Sequence, residues 1–152
     1  MNNRLTRQSG VSLIEILVAL LVLAIGLLGL AALQTTSLQL SGEAQARSQA
    51  ILLANDYMDR IRTNRANASQ YSVGSGDIGT CNPDINLGAQ GDVAQTDQAD
   101  WTNDVACLLP QGDARVQISS VGDRYDVAVT VSWEERTEEG AEMASVNFNT
   151  RL

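Results

Sequence analysis

The stretch Gly10-Val11-Ser12-Leu13-Ile14-Glu15 opens a segment that carries no charge from Ile16 to Leu33. That segment is long enough to cross a bilayer, because about 20 apolar residues in a helix span the hydrocarbon core. A carboxylate at the start of such a segment is costly to desolvate unless a cation neutralises it. Glu15 therefore predicts a positively charged partner at a similar depth in the membrane.

A short basic peptide before the apolar segment indicates the source of that partner. Its charged residues are Arg4 and Arg7, and a cut after Gly10 would expose a new α-amino group on Val11. We expect the Val11 amine of one chain to neutralise Glu15 of a neighbouring chain. The arginines that flank the apolar segment lie on this side only, which predicts a cytoplasmic N-terminus and a globular part outside the inner membrane.

These residues resemble the class III leader of type IV prepilins and of type II secretion pseudopilins. The resemblance depends on Arg4, Arg7, Gly10 and Glu15, the last of which stands five residues beyond the cut. The longer run 10–34 is most similar to the minor pilins of the PilV family, whose pseudopilin relative is GspI. One departure is Val11, where the family usually has phenylalanine. The motifs are specific in the N-terminal segment, and the remainder of the chain resembles the family in architecture only.

The resemblance implies an α+β type IV pilin fold, with a long N-terminal helix packed on a small antiparallel sheet. It implies that a prepilin peptidase cuts between Gly10 and Val11 and methylates the Val11 amine, and that Glu15 serves subunit assembly. The implied function is that of a minor pilin, which helps to prime type IV pilus assembly and supports attachment and twitching motility. The implied partners are other minor pilins, the major pilin and a pilus-tip adhesin. The implied location is the inner membrane in a single pass, and then the extracellular pilus.

Other interpretations of the apolar segment are weaker but remain open. A secretory signal peptide could be cut after Ala31, although its apolar part would be unusually long and would contain a carboxylate. A plain signal anchor explains the length of the segment but not Glu15. A buried helix of a soluble protein would need more covering chain than 152 residues easily provide. The alternative functions are a pseudopilin of the GspI kind, a periplasmic binding or adaptor protein, and a periplasmic enzyme.

The composition excludes several classes of function. The chain has 10 basic residues against 18 acidic ones, for a net charge of −8, and all of the basic residues are arginines. Such a chain is repelled by nucleic-acid phosphates and anionic lipid. It contains no histidine, so Ser–His and Cys–His nucleophile pairs are impossible. We expect no catalysis, no cofactor, no nucleic-acid partner and no small-molecule substrate.

The two cysteines, Cys81 and Cys107, predict one disulfide, because exported domains are oxidised. A zinc site is the alternative, but the chain offers neither histidine nor C-x-x-C spacing. The stretch Asp84-x-Asn86-x-Gly88 matches part of a calcium loop and lacks the closing glutamate. We therefore expect a solvated acidic loop there and no metal.

The chain divides into five predicted parts. Residues 1–10 form the leader, 11–34 the membrane or filament-core half of the helix, and 35–65 its amphipathic periplasmic half. Residues 66–114 form a variable connecting region with short structure and the disulfide, and 115–152 form the antiparallel sheet. The amphipathic half predicts an apolar stripe at three-, four- and seven-residue steps, made of Leu40, Ala44, Ile51, Ala54, Met58 and Ile61.

The sheet residues alternate between apolar and polar, which is typical of half-buried strands. A two-residue turn at Gly122-Asp123 pairs Val121 with Arg124, and this register brings the large apolar residues of both strands to one face. A third strand is predicted around 145–151, at an edge of the sheet, after an acidic loop over 134–142.

Overall fold

The fold was analysed in a computed structural model, which describes residues 10, 12–84, 91–137 and 140–152. Helix α1 is followed by a short 3-10 helix, helix α2 and strands β1, β2 and β3; their bounds are Leu13–Thr63, Arg65–Tyr71, Val93–Leu108, Asp113–Val121, Arg124–Thr137 and Gly140–Arg151. The predicted α+β class, with a long N-terminal helix and a small antiparallel sheet, is confirmed.

The chain forms two compact units, Met1–Leu40 and Ser41–Leu152, and we call the second unit the head. Helix α1 is a single helix of 51 residues that contributes to both units. Within the described ranges it is the one helix whose length and composition would suffice to cross a membrane. Its most apolar 18-residue window has a mean hydropathy of 3.0.

The buried face of α1 differs in part from the predicted stripe. Ala54, Met58 and Ile61 are buried as predicted, but Leu40, Ala44 and Ile51 are exposed. The buried face begins at Ala50, and its other members are Leu53, Ala54, Tyr57, Met58 and Ile61. These residues recur at i, i+3 and i+4, which places them on one side of the helix. Leu40 and Ala44 lie before Ala50, where the buried face begins.

Helix α2 corrects the prediction that the connecting region has only short structure, since it contains 16 residues. Asp92 caps its N-terminus, where the carboxylate accepts a hydrogen bond of 3.0 Å from the Gln95 N–H. Ala94, Trp101 and Val105 form its buried side. Most of its other residues are polar, so the apolar periodicity in the sequence is too weak to reveal the helix.

The sheet has the strand order β1-β2-β3 and is antiparallel throughout. The predicted hairpin register is confirmed, because Val121 pairs with Arg124. The same register continues without a bulge to the pair of Val116 and Val129. Gly122 stands in the turn at φ 63°, a left-handed conformation that glycine adopts without strain. The third strand lies at an edge as predicted.

The prediction of an acidic loop over 134–142 is wrong. Glu134 and Glu135 belong to β2, and Glu142 belongs to β3 and pairs with Glu135. The β2–β3 ladder extends to Thr137 and Gly140, and residues 138–139 lie outside the described ranges. The indole N–H of Trp133 donates to Glu135 at 2.9 Å, so part of this acidic stretch supports a buried side chain.

The core of the head lies between α1, the 3-10 helix, α2 and one face of the sheet. Its largest fully buried side chains are two tryptophans, two tyrosines, one isoleucine and five valines. They are Trp101, Trp133, Tyr57, Tyr71, Ile61, Val105, Val116, Val127, Val129 and Val131. No polar or charged residue is buried among the described positions. The head is therefore held mainly by burial of apolar and aromatic surface.

Replacing Gly112 by alanine is expected to destabilise the head by about 1–3 kcal/mol. A Cβ at this position would collide with the backbone carbonyl oxygen of Val105, which cannot move without disturbing the end of α2. Urea unfolding of the full chain in detergent measures the change. Gly42→Ala in α1 is the control, because a Cβ there meets no atom within 4 Å. It should stabilise the helix by up to about 1 kcal/mol, and equal effects of the two variants would contradict the prediction.

Candidate assembly segment and the disulfide-bearing head

The candidate assembly segment is the N-terminal part of α1. Its large apolar residues between Leu13 and Leu33 are each 51–76% exposed in the single chain. Glu15 lies in the first turn of the helix, where its backbone N–H donates to the Ser12 carbonyl at 3.0 Å. Gly10 is exposed. Val11, the predicted site of cleavage and methylation, lies outside the described residues.

The helix N-terminus alone does not account for Glu15. The dipole of a helix stabilises a carboxylate in its first turn by about 0.3–1 kcal/mol. Burying an unpaired charge in an apolar environment costs several times more, on the order of several kcal/mol. A helix that is apolar on all sides and carries this carboxylate therefore needs a cationic partner when its surface is covered.

Three aromatic side chains fix the end of α1 to the rest of the head. The rings of Tyr57 and Trp101 stack with centroids 4.0 Å apart, and Tyr57 meets Tyr71 edge-on at 5.7 Å. The Trp101 indole N–H donates to the Leu53 carbonyl at 2.8 Å, and the Tyr57 hydroxyl donates to the Tyr71 carbonyl at 3.0 Å. Burial raises the pKa of Tyr57 far above its ordinary value, so this hydroxyl remains a donor at every physiological pH.

An arginine-centred cluster borders these rings. Arg60 donates to Asp56 at 2.8 Å and to Asp100 at 2.7 Å, and lies 3.5 Å from Asp97. Partial burial acts to lower the pKa of Arg60, but its hydrogen bond to Asp100 and the charge of Asp56 raise that pKa overall. Tyr71 joins the cluster by donating its hydroxyl to Asp97 at 2.7 Å. The cluster links α1, the 3-10 helix and α2 through the bonds of Arg60 with α2 and of Tyr71 with Asp97.

Sequence reasoning missed Asp97, Asp100 and Trp101. These three residues lie on α2, within the region that was predicted to have only short structure. The available signal was a tryptophan in a polar stretch that follows a possible helix cap at Asp92. A tryptophan in such a context indicates a packed element, because its large apolar ring is strongly favoured inside.

The predicted disulfide between Cys81 and Cys107 is present, with the two Cα atoms 4.7 Å apart. It connects the coil after the 3-10 helix to the last turn of α2. Close by, the Asn82 N–H donates to the Asn103 side-chain oxygen at 2.8 Å. Both contacts fasten an irregular segment that contributes few residues to the core.

Removing the disulfide by Cys81→Ser with Cys107→Ser is expected to cost about 3 kcal/mol, because the unfolded chain regains the entropy of a 26-residue loop. Urea unfolding of the full chain, with and without reductant, measures this. Reductant should destabilise the wild-type chain and leave the double variant unchanged. A wild-type unfolding midpoint that does not respond to complete reduction would contradict the prediction.

A polar loop before β1 is organised around Asp113. Its carboxylate accepts hydrogen bonds from the Ser75 hydroxyl at 2.8 Å and the Gly76 N–H at 3.0 Å. Partial burial acts to raise the pKa of Asp113, but these hydrogen bonds outweigh it and lower the pKa below its ordinary value. The arrangement attaches the loop to the sheet.

The structure describes the partial calcium motif only in part. Asp84 is exposed, and Asn86 and Gly88 lie outside the described residues. Across the ranges that the structure describes, no group of three metal-binding side chains comes together. A shallow depression of about 670 Å³ adjoins Asp126 and Arg151 at one end of the sheet, but these two side chains already bind each other.

Comparison with known proteins gives two adjoining family matches. Residues 32–99 match the model of the Tt1218-like family, described as type IV pilin Tt1218. Residues 5–31 match the prokaryotic N-terminal methylation motif. No curated protein and no solved structure matches the chain significantly. The methylation motif implies processing by a prepilin peptidase and assembly with other pilins, and the pilin family is structural rather than enzymatic. The two matches and the α+β fold together support a type IV pilin role for the chain, with an N-terminal methylation motif.

Proposed function

We propose that this chain is a minor pilin of a type IV pilus, made as a prepilin and assembled through its N-terminal helix. One observation carries the proposal. Glu15 lies in the first turn of a helix whose large apolar side chains up to Leu33 are all exposed. A soluble monomer would leave this surface in water, and a simple membrane anchor would leave the carboxylate without a partner.

The proposed processing begins at the leader, residues 1–10. The prepilin peptidase cuts between Gly10 and Val11 and methylates the new Val11 amine, which stays cationic. The Val11 amine of one subunit then pairs with Glu15 of its neighbour as the apolar helices bundle. The charge pair compensates the cost of desolvating either group alone, and the bundle buries the apolar residues of 11–34.

The proposed parts of the mature chain follow from this process. The half-helix 11–34 enters the filament core, and 35–65 continues the helix into the head with its amphipathic side. The region 66–114, with its disulfide, and the sheet region 115–152 form the rest of the exposed head. Before assembly the N-terminus is cytoplasmic, the helix crosses the inner membrane once, and the head is periplasmic.

The minor status of the pilin is supported by the resemblance of residues 10–34 to the PilV family. Minor pilins of that kind prime the assembly of the major pilin together with other minor pilins, beside an adhesin at the pilus tip. Through this priming the chain would support attachment and twitching motility. The alternative is a pseudopilin of the GspI kind in a type II secretion system; the size of the present head favours the pilus.

Intact-mass analysis of the chain recovered from sheared surface filaments tests the proposal. The expected species begins at methylated Val11 and contains oxidised Cys81 and Cys107. A chain that begins at Val11 but is found only in the cell envelope would favour the secretion pseudopilin. An uncut chain, or one that begins at Ala32, would overturn the proposal.

A further inference from the structure

Strand β3 presents an unpaired backbone edge, and the direction of its hydrogen bonds can be derived. Tyr125 and Leu152 exchange two backbone hydrogen bonds, of 3.0 and 2.8 Å. In an antiparallel ladder such pairs alternate with pairs that bond away from each other. Along the continuous β2–β3 register, the even-numbered residues of β3 therefore bond to β2. The odd-numbered ones, among them Ser145, Asn147 and Asn149, direct their N–H and C=O groups to the free edge.

The two edges of the sheet differ. The outer edge of β1 is partly occupied, because Val73 exchanges hydrogen bonds of 3.1 and 2.9 Å with Val116. The outer edge of β3 has no neighbouring strand in the part of the chain that the structure describes. β3 is 12 residues long and contains neither proline nor lysine. Edge strands of soluble proteins are normally protected by such residues, by bulges or by shortness, because a bare edge pairs with other chains.

The side chains of β3 form two different rows. Ala144, Val146 and Phe148 lie against the core but are only half-buried. Ser145, Asn147 and Asn149 lie on the opposite face and are exposed. A further strand beside β3, with apolar residues at alternate positions, would place those residues next to Val146 and Phe148. The apolar layer ends unfinished at β3, and such a strand would extend it.

The charges beside this edge are unequal at its two ends. Near the β2–β3 turn stand Glu134, Glu135 and Glu142, against one arginine, Arg136. At the other end Arg151 is already bound to Asp126. A basic residue in the added strand would be favoured beside the turn, but only weakly, because an exposed charge pair is screened by water. The charge selects the partner weakly, and the backbone and apolar row supply the main attraction.

We propose that the free edge of β3 binds an extended segment of another protein as a fourth strand. The segment has apolar residues at alternate positions on the Phe148 side and a basic residue next to the β2–β3 turn. Recognition is by backbone hydrogen bonds to the odd-numbered residues of β3, with specificity from the alternate side chains. The proposal does not depend on the role of the chain in a pilus.

The test uses the full chain in detergent and a defined peptide. The probe is the sequence of residues 127–133, VAVTVSW, with one arginine added at each end, because β2 already demonstrates compatibility with β3. A scrambled peptide of the same composition controls for partition into micelles. Hydrogen exchange is measured residue by residue. We expect the probe to slow exchange at Ser145, Asn147 and Asn149 by about tenfold or more, with little change at the amides that already bond to β2.

A matched pair of variants tests the role of the backbone. Ser145→Pro removes an N–H that points to the free edge while leaving the ladder to β2 complete, and proline is tolerated at such positions. Ser145→Ala keeps that N–H. The proline variant should bind the probe at least about tenfold more weakly, equivalent to about 1.4 kcal/mol, and the alanine variant within about twofold of wild type. If the proline variant does not fold, Asn149→Pro and the wild-type exchange pattern decide the result.

Three outcomes would overturn the proposal. One is equal binding by Ser145→Pro and Ser145→Ala, and another is equal binding of the probe and the scrambled peptide. The third is protection of the odd-numbered amides without any peptide, accompanied by dimerisation. That result would show that a second copy of this chain, and not a different protein, occupies the edge.

Discussion

Replacing Glu15 by valine is expected to remove the chain from surface filaments while leaving it in the membrane and cut after Gly10. The incoming Val11 amine would be buried without a counter-charge, and breaking a buried pair in this way costs about 3–5 kcal/mol. Each 1.4 kcal/mol is about a tenfold change in an equilibrium, so incorporation should fall by about 100-fold or more. The measurement is the amount of chain in sheared filaments divided by the amount in the membrane fraction.

Glu43→Gln provides the control for this experiment. Glu43 lies on the same helix but in the head, where it is half-exposed, and its neutralisation should leave incorporation unchanged. Intact mass shows whether each variant is still cut after Gly10. Wild-type incorporation of Glu15→Val would refute the proposed charge pair, and equal losses in both variants would show that the effect is not specific to the apolar segment.

The parts of the fold that could be predicted are those that depend on local pattern. The long helix follows from an uninterrupted run without proline. The β1–β2 register follows from a turn sequence and from alternation, because a slip of one residue would move every apolar side chain to the other face. Val116 and Val129 therefore pair as the sequence requires. The disulfide followed from the number of cysteines and their compartment.

The parts that could not be predicted depend on contacts between distant segments. Helix α2 has only three buried residues among 16, so its apolar period is weak. It is stabilised by the contact of Trp101 with Tyr57 and by the bonds of Asp97 and Asp100 with α1, which join residues about 40 positions apart. The same contacts explain why Tyr57, rather than Leu40 or Ala44, belongs to the buried face of α1. No periodicity within α1 contains that information.

The candidate assembly segment is the opposite case. The residues that carry its chemistry are close together along the chain. The cut at Gly10, the amine of Val11 and the carboxylate of Glu15 can therefore be proposed from the sequence alone. Its proposed partner is another chain, and the fold of one subunit adds only the exposure of the apolar surface. The free edge of β3 became apparent only when the strand order was known.

Replacing Trp101 by alanine is expected to destabilise the head by about 3–5 kcal/mol. The indole is fully buried, stacks on Tyr57, and donates its N–H to the Leu53 carbonyl. Its loss leaves a cavity at the point where α2 meets α1, and the disulfide at the far end of α2 cannot fill that cavity. The measurement is urea unfolding of the full chain in detergent, monitored through the fluorescence of Trp133.

Two further variants separate the contributions of Trp101. Trp101→Phe keeps an aromatic ring but removes the hydrogen bond to Leu53. It should lower the free energy of unfolding by at most about 1–2 kcal/mol, because the phenyl ring recovers part of the packing. Leu108→Ala lies on the same helix at a half-exposed position, and should remain within about 0.5 kcal/mol of wild type. If Trp101→Ala were as mild as Leu108→Ala, α2 would not be anchored through its indole. The Arg60 cluster would then have to supply the attachment, and because its charges are partly exposed, high salt would weaken it.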